Sequence, residues 1–170
     1  PRFIIAFSIL RSGMGLGTTP STMILTSMAM FMTFYVMAPT FERSWQDGIQ
    51  PLLQNQITEA VAIERGAEPF RTFMIGNTRP KDLALFVDLA NERGQETMNG
   101  NVPQYRVLVP AFMLSEIRRG FEIGFLIILP FLVIDMIVAA ITMSMGMMML
   151  PPTSISLPFK ILFFVLIDGW

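Results

Sequence analysis

Residues 123–152 read IGFLIILPFLVIDMIVAAITMSMGMMMLPP and carry one charged side chain, Asp135. The run exceeds the roughly 20 apolar residues that a transmembrane helix needs. Pro130 lies inside it and is predicted to kink or break the helix, because proline lacks an N–H and clashes with the preceding turn. Pro151 and Pro152 end the run for the same reason. This stretch therefore predicts membrane-grade helices joined by proline breaks.

Five of the seven residues from 143 to 149 are methionines. Methionine is apolar, unbranched and flexible, so a cluster of it seals a surface without fixing one shape. Placed against two prolines at a helix end, the cluster predicts a constriction or an adaptable contact surface. Thioethers also bind Cu(I), but without Cys or His the ligand set is thin, and core filling accounts for most of the other methionines.

Composition indicates membrane association. Of 170 residues, 52% are hydrophobic and 15% are charged, against about 25% charged in a typical soluble domain. The net charge of −1 gives no reason to expect a nucleic-acid partner. The absence of Cys and His excludes disulfides, thiolate zinc sites and the Ser-His-Asp arrangement. No nucleophile–base pair is apparent, so we predict no enzyme activity, no cofactor and no metal site.

Charge divides the chain into three segments, because 19 of its 25 charged residues lie between Glu42 and Arg119. The predicted segments are an N-terminal hydrophobic hairpin (1–41), a polar helical block (42–106) and C-terminal hydrophobic helices with the methionine-rich loop (107–170). The predicted fold class is all-α, with hydrophobic helical hairpins flanking an amphipathic middle domain and assembling into a helical membrane-associated oligomer. We expect both chain ends to be truncated.

Smaller signals predict helix ends. Thr18 or Thr19 is expected to cap a helix that has Pro20 in its first turn. The polar block alternates apolar and charged residues at helical spacing. Within that block, three glycines are predicted to end helices: Gly66, Gly76 and Gly94.

Three ionisable residues lie in apolar surroundings: Glu122, Asp135 and Lys160. A charge at mid-bilayer costs about 2.5–3.5 kcal/mol on insertion scales, so such residues are paired, protonated or facing water. One interpretation is a proton or ion path, and the other is an ion pair between helices that fixes their packing. Glu116, Glu122 and Asp135 are all possible partners of Lys160, and the residues alone leave that choice open.

Several stretches in the second half of the chain resemble a known family. They are 108–117 (LVPAFMLSEI), 120–125 (GFEIGF), 129–135 (LPFLVID), 146–152 (GMMMLPP), 157–160 (LPFK) and 165–170 (VLIDGW). In this order they are similar to the FliP/SctR family, the export-gate proteins of type III secretion, and to its flagellar branch in particular. Upstream, residues 9–11, 31–34 and 69–74 also fit.

The resemblance implies a core subunit of a type III protein export gate in the bacterial inner membrane, within the flagellar basal body. Unfolded flagellar proteins would cross the membrane through its gated pore. The implied partners are other copies of the chain, FliQ-like and FliR-like gate subunits, and FlhA-like and FlhB-like export components. The polar block would face the periplasm. Family members extend further at both ends.

Residue by residue, the resemblance assigns a pore gasket to Met147, Met148 and Met149. It implies an ion pair between Glu116 and Lys160 that stabilises the gate or the subunit contact. Asp135 would serve assembly or gating. Two alternatives stay open from the residues themselves: an ion or solute transporter that uses Glu122, Asp135 and Lys160, and a methionine-based Cu(I) carrier.

Overall fold

The structure is a computed structural model that describes residues 1–146 and 151–169. Those residues are mainly helical, with one hairpin of two-residue strands, and the predicted all-α fold class is confirmed. The elements are α1 (Arg2–Gly13), α2 (Thr22–Ser44), a π-helical turn (Trp45–Ile49), α3 (Gln50–Leu53), α4 (Glu59–Asn77), α5 (Pro80–Glu92), β1 (Met98–Asn99), β2 (Val102–Pro103), α6 (Tyr105–Ser144) and α7 (Pro152–Leu166).

Two helical stretches are long and apolar enough to cross a membrane. They are Thr22–Leu53, which runs from α2 through α3, and Tyr105–Ser144, which is α6. Helix α7 is apolar but shorter, at 15 residues. The hydrophobic segments at the two ends of the described chain thus form helices of the kind that their composition predicts.

The chain folds as two compact units. The first contains Pro1 and Phe31–Arg118, and the second contains Arg2–Met30 and the chain from Arg119 onward. Helices α2 and α6 each contribute residues to both units, since each helix passes a boundary between them.

In the first unit, α4 packs against the turn that follows α2 through two glycines. A Cβ at Gly48 would lie 2.8 Å from the Cα of Gly66. Beside them, the Ser44 hydroxyl donates a hydrogen bond of 2.7 Å to the Gly66 carbonyl. The prediction that Gly66 ends a helix is therefore wrong. Gly66 lies inside α4, at a point where two backbones meet closely.

The other two glycines of that prediction stand near helix ends. Gly94 follows α5 with a φ of +64°, in the left-handed region that ends many helices. Gly76 lies one residue before the end of α4. Unlike Gly66, these two glycines are not packed against another segment, because no atom of another described segment lies within 4 Å of the Cβ position at Gly76 or Gly94.

In the second unit, α1 runs parallel to α6. The contacts pair Ile5 with Gly120, and Ile9 with Gly124, so both positions advance by four residues. A Cβ at Gly124 would lie 2.6 Å from the Ile9 Cδ1 atom. Two small residues at this spacing let helices approach closely in an apolar setting. One turn further along, Gly13 contacts Ile128.

Pro130 was predicted to kink or break the helix, and a break is wrong, because α6 continues from Tyr105 to Ser144. Apolar helices tolerate an internal proline where neighbouring groups and local adjustment satisfy the freed carbonyl. The helix instead ends just before Gly146, whose φ is +75°. Pro151 then occupies the cap position of α7, and Pro152 is its first residue, where a missing N–H costs nothing.

The predicted start of α2 is also wrong by a few residues. The helix begins at Thr22, and the Ser21 hydroxyl accepts a hydrogen bond of 3.4 Å from the Ile24 amide. Pro20 precedes the helix, and its carbonyl accepts a hydrogen bond of 3.2 Å from the Arg11 guanidinium. This contact fixes Pro20 in the connection between α1 and α2.

Candidate functional site

Helices α6 and α7 form an antiparallel pair in the second unit. Phe131 packs against Phe163 and Phe164, with ring centroids 6.0 and 6.4 Å apart. One turn later on α6, Asp135 contacts Ser156 and Lys160. Partner numbers fall as the α6 numbers rise, which defines the antiparallel register. This register brings an aspartate and a lysine, each in an apolar run, to the same level.

Lys160 is the buried member of this ion pair. Its Nζ atom lies 2.6 Å from the Asp135 Oδ2 atom, and it donates a second hydrogen bond of 3.1 Å to the Gly13 carbonyl. The Lys160 side chain is 2% exposed, whereas that of Asp135 is 28% exposed. A buried ammonium needs such partners, because removing a charge from water costs several kcal/mol after relaxation.

Ser156 holds the other carboxylate oxygen. Its hydroxyl donates to the Asp135 Oδ1 atom at 2.6 Å and lies 3.1 Å from the Thr153 carbonyl. Ser156 is fully buried. A hydroxyl has a single proton to donate, so the shorter contact to a charged acceptor is the stronger one. Both oxygens of Asp135 are thereby engaged.

The Gly13 carbonyl belongs to the C-terminus of α1, where the last carbonyls of a helix lack intrahelical partners. The Leu16 amide donates to Arg11, and the Gly15 amide to Ser12, at 3.3 and 3.1 Å. With Gly15 at a φ of +74°, this is the Schellman type of helix end. That motif leaves the Gly13 carbonyl to another donor, and Lys160 supplies it with a positive charge at the negative end of the helix.

Apolar side chains surround this polar cluster. Met14, Phe131 and Phe164 are buried together, and four partly buried residues pack on them: Leu10, Leu16, Ile134 and Phe163. Low polarity strengthens each hydrogen bond in the cluster and raises the cost of leaving one unmade. We call Asp135, Ser156, Lys160 and the Gly13 carbonyl the α1–α6–α7 node.

Within the chain, Lys160 pairs with Asp135, and a pairing of Glu116 with Lys160 at a contact between subunits stays a prediction. Asp135 lies about two and a half turns before the end of α6, and Lys160 about two turns after the start of α7. Glu116 lies about eight turns before the end of α6, whereas the whole of α7 is only about four turns long. A helix of that length that runs antiparallel to the end of α6 is long enough to reach the level of Asp135 but not that of Glu116.

The other predicted residues lie in different settings. Met147, Met148 and Met149, the proposed gasket, lie outside the described residues. Glu122 lies on α6 and makes contacts of its own. Over the ranges 1–146 and 151–169, no three acidic side chains cluster as a metal site would require.

A second buried cluster, in the first unit, was missed in the sequence. The Ser115 hydroxyl donates to the Asp82 Oδ2 atom at 2.7 Å and accepts the Arg79 amide at 3.0 Å. Arg118 places its Nη2 atom 3.7 Å from the Asp82 Oδ1 atom. Asp82 stands in the first turn of α5, where the helix dipole favours a carboxylate. We call these four residues the α5–α6 node.

Comparison with known proteins assigns the chain to a family. The sequence profile of the FliP family matches residues 1–170, which is the whole chain. This chain belongs to the FliP family. The chain is 81% identical over 170 residues to the flagellar biosynthetic protein FliP of Agrobacterium fabrum and 72% identical to that of Rhizobium meliloti. It covers 69% of the length of each of these two proteins.

The likeness to the FliP family extends to more distant members. The flagellar biosynthetic protein FliP of Caulobacter vibrioides is 51% identical over 169 residues, with 99% of this chain and 63% of that protein covered. The match therefore includes both the apolar helices and the polar block between them. The resemblance that the C-terminal stretches indicate is confirmed as family membership.

Proposed function

We propose that the chain is part of a core subunit of the flagellar type III protein export gate. The observation that carries this proposal is the match to the FliP family over residues 1–170, with 81% identity to a protein named for flagellar biosynthesis. The subunit would form the gated pore through which unfolded flagellar proteins cross the inner membrane.

The two membrane-length helices support a membrane location. We place the subunit in the bacterial inner membrane at the flagellar basal body, with the polar block 42–106 on the periplasmic side. Its partners would be further copies of itself, FliQ-like and FliR-like subunits, and FlhA-like and FlhB-like components. The division into segments 1–41, 42–106 and 107–170 remains a prediction that this topology would explain.

The gate would close through Met147, Met148 and Met149. A secretion pore has to retain ions at rest and yet pass unfolded chains of any sequence. Hydrophobic constrictions close by dewetting, and the flexible thioether side chain lets a ring of methionines yield around many shapes. Gly146 and Pro151 flank the cluster at the end of α6 and the start of α7, which supports a position between helices.

The contacts of the α1–α6–α7 node favour a packing role for Asp135 and Lys160 over an ion path. Lys160 is 1% exposed and is held by Asp135 and the Gly13 carbonyl. An ion path needs a group that exchanges its partner with a passing ion or proton. A lysine buried between two fixed acceptors is better suited to holding helices together.

The test replaces Met147, Met148 and Met149 with serine in the full-length protein, in cells that lack their own copy. We expect the gate to assemble and membrane conductance to rise at least about tenfold, because serine keeps a constriction wet. The control replaces Met28, Met30 and Met32, which are half-exposed on α2, with serine. Equal conductance in the assembled variant and the wild type would count against the gasket.

A further inference from the structure

We propose that Lys160 is the C-terminal cap of α1 and that Ser156 is its positioning residue, acting through Asp135. Together they would tie α1 to the α6–α7 pair. The role of Lys160 is then more than pairing with one carboxylate. Its ammonium, carried by α7, joins that helix to α6 through the Asp135 carboxylate and to α1 through the Gly13 carbonyl.

The first support is the hydrogen-bond accounting at the end of α1. The Schellman amides of Gly15 and Leu16 satisfy the carbonyls of Ser12 and Arg11, and the Gly13 carbonyl turns to Lys160 instead. Lys160 lies 147 residues away in the chain. Buried carbonyls rarely lack a partner, so this distant ammonium completes the end of the helix.

The second support is the double constraint on Asp135. Ser156 and Lys160 lie one turn apart on α7, and each binds a different oxygen of the same carboxylate. Without the Ser156 hydroxyl, the carboxylate, whose side chain is 28% exposed, can rotate away from Lys160 towards its exposed side. Ser156 therefore determines whether Asp135 faces Lys160, although it touches neither the ammonium nor α1 in any hydrogen bond of the described chain.

The third support is the apolar character of the facing surfaces of α6 and α7 between the node and the helix ends. An apolar pocket of about 450 Å³, partly open to the surface, lies there and is lined by Ile137, Ile141, Met145, Ile155 and Phe159 among others. Apolar contacts of this kind are non-directional and select no single register, whereas the hydrogen bonds of the node do. The polar node would therefore set how the end of α6 and the start of α7 are held.

The node lies about 12–14 Å along each helix from Ser144 and Pro152. These two residues bound the chain segment that contains Met147, Met148 and Met149. A displacement of α1 would thus be transmitted to both ends of that segment. The link to export rests on the proposed function, whereas the tie between α1 and the α6–α7 pair does not.

The decisive variant exchanges the two charges, Asp135→Lys with Lys160→Asp. An ordinary ion pair tolerates this exchange, because the attraction between opposite charges is unchanged. A carboxylate at position 160 cannot donate to the Gly13 carbonyl, so the cap of α1 is lost. We expect Lys160→Met to reduce flagellar export at least about tenfold and the exchanged pair to remain within about threefold of that low level.

The tie itself is measured by the distance between spin labels. The chain contains no cysteine, so Ser12→Cys on α1 and Leu162→Cys on α7 give one label pair, and both positions are exposed. The full-length protein is labelled in assembled gates, diluted with unlabelled subunits. We expect the distance distribution to widen at least about twofold in Lys160→Met and by less in Ser156→Ala.

Matched controls separate the cap from general effects. Lys81, the other lysine of the chain, is exposed, and Lys81→Met should leave export and the label distance unchanged. Ser154 is exposed on α7, and Ser154→Ala is the control for Ser156→Ala. If the protein with the exchanged charges does not accumulate in cells, the label distance in the single variants Lys160→Met and Ser156→Ala tests whether Lys160 caps α1.

Two results would overturn the proposal. One is recovery of export to within about twofold of wild type in the exchanged pair, since a simple ion pair would then suffice. The other is an unchanged label distance in Lys160→Met. The label distance is measured without secretion, so it tests the tie between the helices and not the export function. Failure of the proposed function would show as unaltered conductance in the Met147–Met149 variant.

Discussion

The two buried nodes use the same three kinds of group in opposite ways. Each contains an aspartate, a serine that donates to it, and a cation. In the α5–α6 node the aspartate is buried at 5% exposure, and Arg118 is 49% exposed. In the α1–α6–α7 node the lysine is buried at 2% exposure, and the aspartate is 28% exposed. The buried charge is thus negative in one node and positive in the other.

Each buried charge also meets a helix end of the opposite sign. Asp82 stands in the first turn of α5, and Lys160 binds the Gly13 carbonyl at the C-terminal end of α1. The nodes differ in how closely the more exposed charge, Asp135 or Arg118, approaches the buried one. Lys160 and Asp135 are 2.6 Å apart, whereas Arg118 and Asp82 are 3.7 Å apart. From this comparison we expect the ion pair to be essential in the α1–α6–α7 node. In the α5–α6 node we expect it to be secondary.

The largest expected effect follows from removing the partner of the buried lysine. Asp135→Ala leaves the Lys160 ammonium with the Gly13 carbonyl alone and should destabilise the protein by about 3–5 kcal/mol. Lys160→Met should cost less, because Asp135 keeps its hydrogen bond from Ser156 and is only partly buried. Denaturation of the purified complex in detergent measures both.

The control for this comparison is Asp88→Ala, since Asp88 is exposed on α5. It should change stability by no more than about 0.5 kcal/mol. If Lys160→Met proved more destabilising than Asp135→Ala, the assignment of the lysine as the critical buried charge would be wrong.

A smaller effect is expected from the buried aspartate of the first unit. Asp82→Ala removes the acceptor of the Ser115 hydroxyl and a carboxylate from the α5 N-terminus, at a cost of about 1–3 kcal/mol. Hydrogen exchange of the amides in the first turn of α5 reports the change locally. Unchanged protection of those amides would show that Asp82 does not hold α5 to α6.

The smallest effect belongs to Arg118. Arg118→Met breaks a long, half-exposed ion pair and should cost about 0–1 kcal/mol, as exposed pairs do. The same denaturation measurement applies, with Arg93→Met, an exposed arginine beyond α5, as the control. A loss near that of Asp135→Ala would remove the contrast between the nodes.

The helices and their apolar character were predictable, because they follow from local composition. The sequence also marked Asp135 and Lys160, since ionisable residues are rare in apolar runs. It did not settle their pairing. Partner choice depends on the antiparallel register of α6 and α7, which places Lys160 opposite Asp135 and does not follow from local composition.

Other features depend on contacts between distant parts of the chain. Gly66 resembles a helix end until Gly48 is seen to pack on it. Asp82 resembles a solvated residue of a polar block, and nothing in its neighbourhood predicts Ser115 as a partner. One signal was available, namely the spacing of Gly120 and Gly124, which is typical of close helix packing and is where α1 lies.

The most direct test of the proposed gate is a cross-link from a secreted protein held in transit. Single cysteines replace Met147, Met148 or Met149 in the full-length protein, and Leu85, an exposed residue of α5, is the matched control position. The stalled cargo carries cysteines along its unfolded segment. The account predicts disulfides between the cargo and at least one of positions 147–149, with none at position 85. Cross-links at position 85 and none at the three methionine positions would contradict it.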